Sequence, residues 1–323
     1  MKNGIIVLVE HLNGAISEIS YELLGAGRLI ADNLNIPLGA VIIGKDVKQL
    51  CSGIGIADNV FVIEDEDLEV CNPAISACIL KQLIEQKEIS YVLLGGTNIS
   101  VGTGPLLASA LKYPFINFCK HIRIDNSQLV VTSQLFGGKI LSDMILDKNK
   151  GIISIYPGSF PIESGKTDKA PNIEVFEAKL EEIKCKFSKY IEPEAGDVDI
   201  TKQDVLVSVG RGIENADNIG MAEDLIALLG GAVCASRPVI DQGWLPLSRQ
   251  VGKSGMIVKP KLYLALGISG APEHVEGMKD SELIIAINKD PDAPIFNIAH
   301  YGICADINDI IPALMESIKK RKN

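Results

Sequence analysis

The sequence predicts an α/β protein built from two doubly wound domains with mostly parallel sheets. Three observations carry that expectation. Short runs rich in Val, Ile and Leu alternate with amphipathic stretches almost from end to end, which is the pattern of strands joined by crossover helices. The rhythm breaks once, in a charge-dense segment closing on Glu192-Pro193-Glu194-Ala195-Gly196, and then restarts. The 323 residues also exceed what one core usually organises. The expected division is residues 1–192 and residues 197–323, with the intervening segment as linker.

The elements follow in order. Residues 5–9 (IIVLV) read as a buried strand, and residues 18–33 as a helix with Leu23, Leu24, Ala26, Leu29 and Ile30 on one face. Residues 39–44 (GAVIIG) and 60–63 are the next strands. Asn72-Pro73 opens a helix, because Asn caps well and Pro suits the first turn. Residues 91–94 form a fourth strand, followed by Gly95-Gly96-Thr97-Asn98 and a helix around residues 105–111. Residues 129–135, 138–146 and 151–155 then read as successive strands with short connections, an antiparallel edge. Beyond the linker, strands are expected at residues 205–209, 233–235, 262–266, 283–287 and 303–305. Helices are expected at residues 218–229 and 310–320, the last ending in Lys and Arg that suit the helix dipole.

Composition excludes several functions. Apolar residues are 47% and charged residues 22%, an ordinary globular balance. The net charge of −10 argues against nucleic acid, which needs a basic face. No apolar run approaches the roughly 20 residues that span a bilayer, and the first strand is followed at once by Glu10 with no small-residue cleavage site. The expectation is a cytoplasmic protein without membrane insertion. Seven cysteines show no C-x-x-C spacing, and His11, His121, His274 and His300 show no ligand spacing, so no metal is expected. Ser269 and His274 are near in sequence, but no G-x-S-x-G elbow surrounds the serine, and no nucleophile–base set points to hydrolysis.

In an open α/β sheet, ligands bind beyond the carboxyl ends of the strands. In the second domain those ends carry Gly210-Arg211-Gly212, Ser236-Arg237, Gly267-Ile268-Ser269-Gly270 and Asn288. Glycine lets backbone approach a phosphate, and Arg clamps one through two hydrogen bonds. Together they suit an extended dinucleotide, although each loop alone is equally well a turn. In the first domain the comparable loop is Gly95–Gly104 in sequence, which lacks G-x-G-x-x-G and is a weak nucleotide candidate; a subunit contact suits it better.

Residues 262–306, LYLALGISGAPEHVEGMKDSELIIAINKDPDAPIFNIAHYGICAD, closely resemble the C-terminal signature of electron transfer flavoprotein alpha subunits. SVGRGI (208–213), ASRPVID (235–241) and RQVGKSG (249–255) match in the family's order. Residues 5–32 and the Gly-rich loop resemble the family more loosely. The resemblance implies that the second domain is a Rossmann-like FAD-binding domain and that a beta subunit completes a heterodimer. It implies an electron carrier, serving an acyl-CoA dehydrogenase or a similar flavin dehydrogenase, rather than a stand-alone enzyme. A bifurcating system that couples NADH, ferredoxin and an acyl-CoA stays open. By the family pattern, Arg211, Ser236 and Ser269-Gly270-Ala271 hold the pyrophosphate and ribityl region. Arg237, Ser254 and His274 surround the isoalloxazine, with Arg237 as the cation over the ring and His274 as a proton donor at its edge, and Gln250, Val251, Gly252, Lys253, Gly267, Pro272 and Glu273 also belong to the cofactor site. Asn288 and Asp306 lie toward the adenosine.

The sequence departs from the family at Lys253 and Glu273, where Gln is usual, at Ser254, where Thr is usual, and at His300, where Asp is usual. Ser254 keeps the hydroxyl. The competing reading from another class is an NAD-dependent enzyme with its cofactor in the second domain.

Overall fold

Residues 5–9 are apolar without interruption and wholly buried, which only a strand covered on both faces requires. They form β1 (Ile5–Val9), the centre of the first of two units into which the chain divides, Met1–Ser188 and Lys189–Asn323. The computed structural model describes residues 2–70, 72–126, 128–146, 150–180 and 198–322. The expected linker lies outside the described residues.

In the first unit β1 is followed by a small antiparallel hairpin, β2 (His11–Leu12) and β3 (Ala15–Ile16). Next come α1 (Glu18–Leu34), β4 (Leu38–Gly44), β5 (Asn59–Glu64), α2 (Pro73–Lys87), β6 (Tyr91–Gly95) and α3 (Thr103–Leu111). The Asn72 side chain accepts from the backbone amides of Ala74 and Ile75, as its capping role predicts. β7 (Phe115–Asp125), β8 (Gln128–Leu135), β9 (Ile140–Ile145), β10 (Gly151–Ile155) and β11 (Ile173–Val175) complete a nine-stranded sheet of order β11-β5-β4-β1-β6-β10-β7-β8-β9. One apolar cluster lies on each face of that sheet: Ile5, Val7, Leu23 and Ile30 belong to one, and Ile6, Leu8, Leu80 and Leu83 to the other.

Two expectations for this unit need correction. β10 is no part of an antiparallel edge. It lies between β6 and β7 and pairs parallel to both, and its five residues are all buried. Its run of Gly and Ile, polar only at Ser154, was the signal of a central parallel strand. β7 was missed because Asn117, Lys120, His121 and Arg123 interrupt its apolar pattern. Its register against β8 shifts between Cys119 and His121, and its register against β10 shifts just before, between Ile116 and Cys119, where Phe118 takes φ 52°. That bulge marks the change from parallel pairing with β10 to antiparallel pairing with β8.

The second unit holds β12 (Val205–Val209), α4 (Ile219–Leu229), β13 (Ala232–Ala235), α5 (Arg237–Asp241), β14 (Leu262–Leu266), α6 (Pro272–Glu276), β15 (Leu283–Asn288), β16 (Tyr301–Cys304) and α7 (Ile307–Lys322). Its sheet is wholly parallel with order β13-β12-β14-β15-β16. The chain goes from β12 outward to β13, then returns to the other side of β12 to lay down β14. That reversal opens a crevice at the carboxyl ends of β12 and β14, the place where such sheets bind ligands.

Candidate functional site

The switch point of the second unit is made by backbone approaching backbone. The amide of Gly210 donates to Leu266 O at 2.8 Å, and that of Gly212 donates to Gly267 O at 3.0 Å. A Cβ on Gly210 would stand 2.4 Å from Gly267 O, and one on Gly212 would stand 2.7 Å from Gly267 Cα. Gly267 itself takes φ +61°, a conformation that L side chains rarely adopt. The glycines therefore seat the β12 exit turn on the β14 exit turn. Arg211, between two of them, is exposed and has no side-chain partner among the described residues.

Around this point the structure brings the predicted loops to one edge. Ser236 follows β13, is buried, and donates its amide to Val209 O. Arg237 begins α5; its side chain is 69% exposed, with Nε 3.4 Å from Asp241 Oδ2. The segment 250–256 crosses beside β13 through an Ala235–Gln250 bridge. Gln250 is buried there and donates to Ser254 Oγ at 3.1 Å. That segment is also tied to the β14 exit. The Lys253 amide donates to Glu273 O at 2.8 Å, and Gly252, at φ +141°, leaves a Cβ only 2.9 Å from the same oxygen. Ser269, Ala271, Pro272 and Glu273 are exposed on the β14 exit. Gly270, at φ +87°, packs so closely that a Cβ would meet Ile295 N at 2.2 Å.

His274 has a different setting from the one expected. It is 6% exposed. One ring nitrogen, Nδ1, lies 3.1 Å from Val251 O, and Nε2 lies 2.9 Å from the Tyr263 hydroxyl. A carbonyl can only accept, so Nδ1 carries the proton and donates, and Nε2 accepts from Tyr263. Burial pushes its pKa down to about 4, which keeps the ring neutral. In this arrangement the ring has no N–H left over, so the role of proton donor at a flavin edge is not the one the described geometry gives it. Tyr263 was not singled out in the sequence because its position inside a strand reads as core. It belongs to a buried polar set with Ser208 and Cys234, whose thiol is pushed up to about 12 by burial.

Asn288 and Asp306 are likewise engaged in their own turns. Asn288 donates to Ile268 O at 2.8 Å and accepts from the Asp290 amide, fastening the β15 exit to the β14 exit. Asp306 accepts from the Asn308 amide at 2.8 Å at the start of α7. Both sit on the same carboxyl edge, since the Ala305 amide donates to Asn288 O. A further link absent from the sequence reading is the 2.9 Å ion pair from Lys289 to Glu214, which joins the β15 exit to the β12 exit.

The groups facing outward are the guanidinium of Arg211, which has no described partner, that of Arg237, held only by an exposed carboxylate, the hydroxyls of Ser254 and Ser269, and Lys253, whose Nζ lies 4.0 Å from Glu276. That set can receive an extended anion with hydroxyls of its own, and it fits FAD better than a neutral ligand. Among the described residues no group of three or more His, Cys, Asp and Glu could hold a metal ion, and no helix is long and apolar enough to cross a membrane.

Comparison with known proteins finds the same family in both units. Residues 5–181 match the electron transfer flavoprotein domain, and residues 199–279 match the electron transfer flavoprotein FAD-binding domain. The electron transfer flavoprotein subunit alpha of Megasphaera elsdenii is 36% identical, covering 99% of this chain and 97% of its own. The acryloyl-CoA reductase electron transfer subunit beta of Anaerotignum propionicum is 33% identical over 98% of this chain and 96% of its own. The lactate dehydrogenase (NAD(+),ferredoxin) subunit LctC of Acetobacterium woodii is 31% identical over 99% of this chain and 78% of its own.

Proposed function

The chain belongs to the electron transfer flavoprotein family, as an alpha-type subunit that binds FAD and carries electrons, and we propose that it does so at the carboxyl edge of the second unit's sheet. One observation carries the placement: unpartnered Arg211 stands on the glycine turn at the β12/β14 switch point, with Arg237, Ser254 and Ser269 exposed on the adjoining loops. Arg211 and Ser269 would receive the pyrophosphate. The backbone of residues 269–271 would follow the ribityl chain. Arg237, Ser254 and Lys253 would border the isoalloxazine, and the β15 and β16 exits would adjoin the adenosine. When bound, FAD would supply the redox chemistry of electron transfer between partners.

The residues themselves act by position and charge. Arg237 is exposed in the structure described and needs only to release Asp241 to lie over an aromatic face. Gln250 holds Ser254 in place from the buried side. His274 stays neutral and ties α6 to Val251, so it would position the segment 250–254 rather than supply a proton.

Relatives in this family work with a beta subunit and with dehydrogenases. For this chain we infer the same arrangement: a heterodimer in the cytoplasm, fed by an acyl-CoA dehydrogenase type of enzyme. The name of the Acetobacterium relative supports a system in which NADH and ferredoxin also take part, and that of the Anaerotignum relative supports an acyl-CoA enzyme as the partner. The test is coexpression with the beta subunit, followed by measurement of bound flavin and of its reduction by NADH and by acyl-CoA plus dehydrogenase. A yellow complex reduced by such a partner is expected. A colourless complex that binds NAD and turns over a small substrate would favour the dehydrogenase reading instead. Within the complex, Arg211→Ala should weaken FAD binding by about ten- to a hundredfold, the loss of one charge-assisted contact of about 1.5–3 kcal/mol. Unchanged affinity would remove Arg211 from the pyrophosphate.

A further inference from the structure

The first unit has a switch point of its own, and its occupant is visible. From β1 the chain moves outward to β4 and β5, then crosses back to lay β6 on the other side of β1. The crevice this opens lies between the carboxyl ends of β1 and β6, where an open α/β sheet takes its ligand. Glu10 follows β1 and Gly95-Gly96-Thr97 closes β6, so both flank the crevice. Glu10 is 3% exposed. Thr97 Oγ1 lies 2.9 Å and 2.8 Å from its two carboxylate oxygens. A Cβ on Gly95 would stand 2.2 Å from Glu10 Oε1, so that glycine clears room for the carboxylate and not for a ligand.

The backbone of Glu10 is equally fixed. Its amide donates to Ser20 Oγ at 2.8 Å, and its carbonyl accepts from Ser20 Oγ and from the Ser17 amide. Among the described residues no Lys or Arg lines the small pocket beside it, and His11, which does, has Nε2 2.9 Å from Ile43 O.

We infer that Glu10 is the built-in occupant of this crevice: its carboxylate takes the seat a nucleotide phosphate would use, so the first unit refuses nucleotides. A phosphate brought to this point would meet a buried acid without a compensating cation and a glycine loop already wrapped around that acid. The inference concerns residues 10 and 95–97 alone and stands apart from the proposed flavin site. The flavin content of the same samples reports on the flavin site separately.

The test uses the full chain in its complex with the beta subunit. The first measurement is hydrogen exchange of residues 95–104 with and without AMP, which reads this loop whatever the partner subunit binds. Wild type should show no protection; protection by AMP would overturn the inference. In Glu10→Ala the seat is vacated, and the loop should be protected by AMP at about tenfold lower concentration than any response of wild type. A folded Glu10→Ala complex whose loop ignores AMP would also overturn it. A second arm needs no nucleotide. Gly95→Ala should lower the melting temperature by several degrees, and adding Glu10→Ala should recover most of that loss, because the new methyl then has no carboxylate to strike. Losses that simply add would show that the carboxylate is not in the glycine's space.

Discussion

At the residue scale, the same histidine reads differently in sequence and in structure, and the difference has a measurable consequence. In the fold, burial keeps His274 neutral down to about 4, whereas in the unfolded chain it takes a proton below the ordinary 6.5. The folded pKa is the lower one, so stability from this residue is whole above 6.5. It is lost as pH falls from 6.5 towards about 4, at up to about 1.4 kcal/mol per pH unit. Denaturation of wild type and His274→Gln at several pH values checks this. The variant should be less stable at neutral pH, by about 1–3 kcal/mol for the partner groups left unpaired, and its profile should be flatter between 6.5 and 4. Parallel profiles would show that the ring is not held neutral. Arg237 is the opposite case, exposed and held only by the exposed carboxylate of Asp241. A unit charge at roughly 4 Å amounts to about 4 kcal/mol at an effective dielectric of 20, and screening of so exposed a group reduces that to about 1 kcal/mol. Arg237→Ala should therefore lower the flavin's one-electron potential by about 40 mV, and Arg237→Lys should recover part of it, since a point charge does not stack as a planar guanidinium does. Reductive titration of the three proteins decides it; equal potentials would place Arg237 away from the ring.

At the element scale, the site depends on how strand exits are packed. The β12 and β14 exits touch through glycine backbone, so there is no side chain to yield when a methyl is added. Gly267→Ala must place an L residue at φ +61° against Gly212, with a Cβ 2.7 Å from its backbone. The conformation alone costs about 1–2 kcal/mol, and relief of the clash must move one of the turns that carry Arg211 and Ser269. The expected result is a lower melting temperature together with a lower flavin-to-protein ratio. A loss of stability with the ratio intact would mean that the turns do not shape the flavin site. Elsewhere the sheets show how an element's surroundings select its sequence. β10 is uncharged and wholly buried because both faces are covered, whereas β7 carries charge and reaches the antiparallel edge through a bulge at Phe118.

At the scale of the whole molecule, the sheet of the first unit ends in β9, an edge strand that leaves Ile140, Leu141 and Ile145 about half exposed, with Phe136 just before it 76% exposed. In the second unit β16 is also an edge strand, and Tyr301 is 67% exposed. Unpaired edges with apolar side chains invite association, and the heterodimer proposed above would give the protein a reason to leave such surface uncovered. The chain expressed alone should therefore aggregate or hold little FAD, and coexpression with the beta subunit should give a monodisperse, flavin-loaded complex. Light scattering on the two preparations is the check. A soluble, fully flavin-loaded single chain would show that this surface needs no partner.

The sequence by itself determined the α/β class, the positions of most strands and helices, and the family, because apolar period, caps and contiguous motifs such as GISGAPEH are local properties of the chain. It also made legible the loops that meet at the second unit's carboxyl edge. Tertiary structure alone decided which strands are neighbours, since β10 and β7 are told apart by what covers them and not by their own residues. It decided, too, that His274, Asn288 and Asp306 spend their hydrogen bonds on the fold while Arg211 keeps its own free. A polar residue near a glycine turn reads the same in sequence whether its partner is a carbonyl across the core or a ligand outside. Only the distances, 2.9 Å to Tyr263 for one and no described partner for the other, separate the two. Glu10 shows the same thing in the first unit: a glycine-rich loop suggests a ligand, and the fold shows a carboxylate of the same chain already in the place.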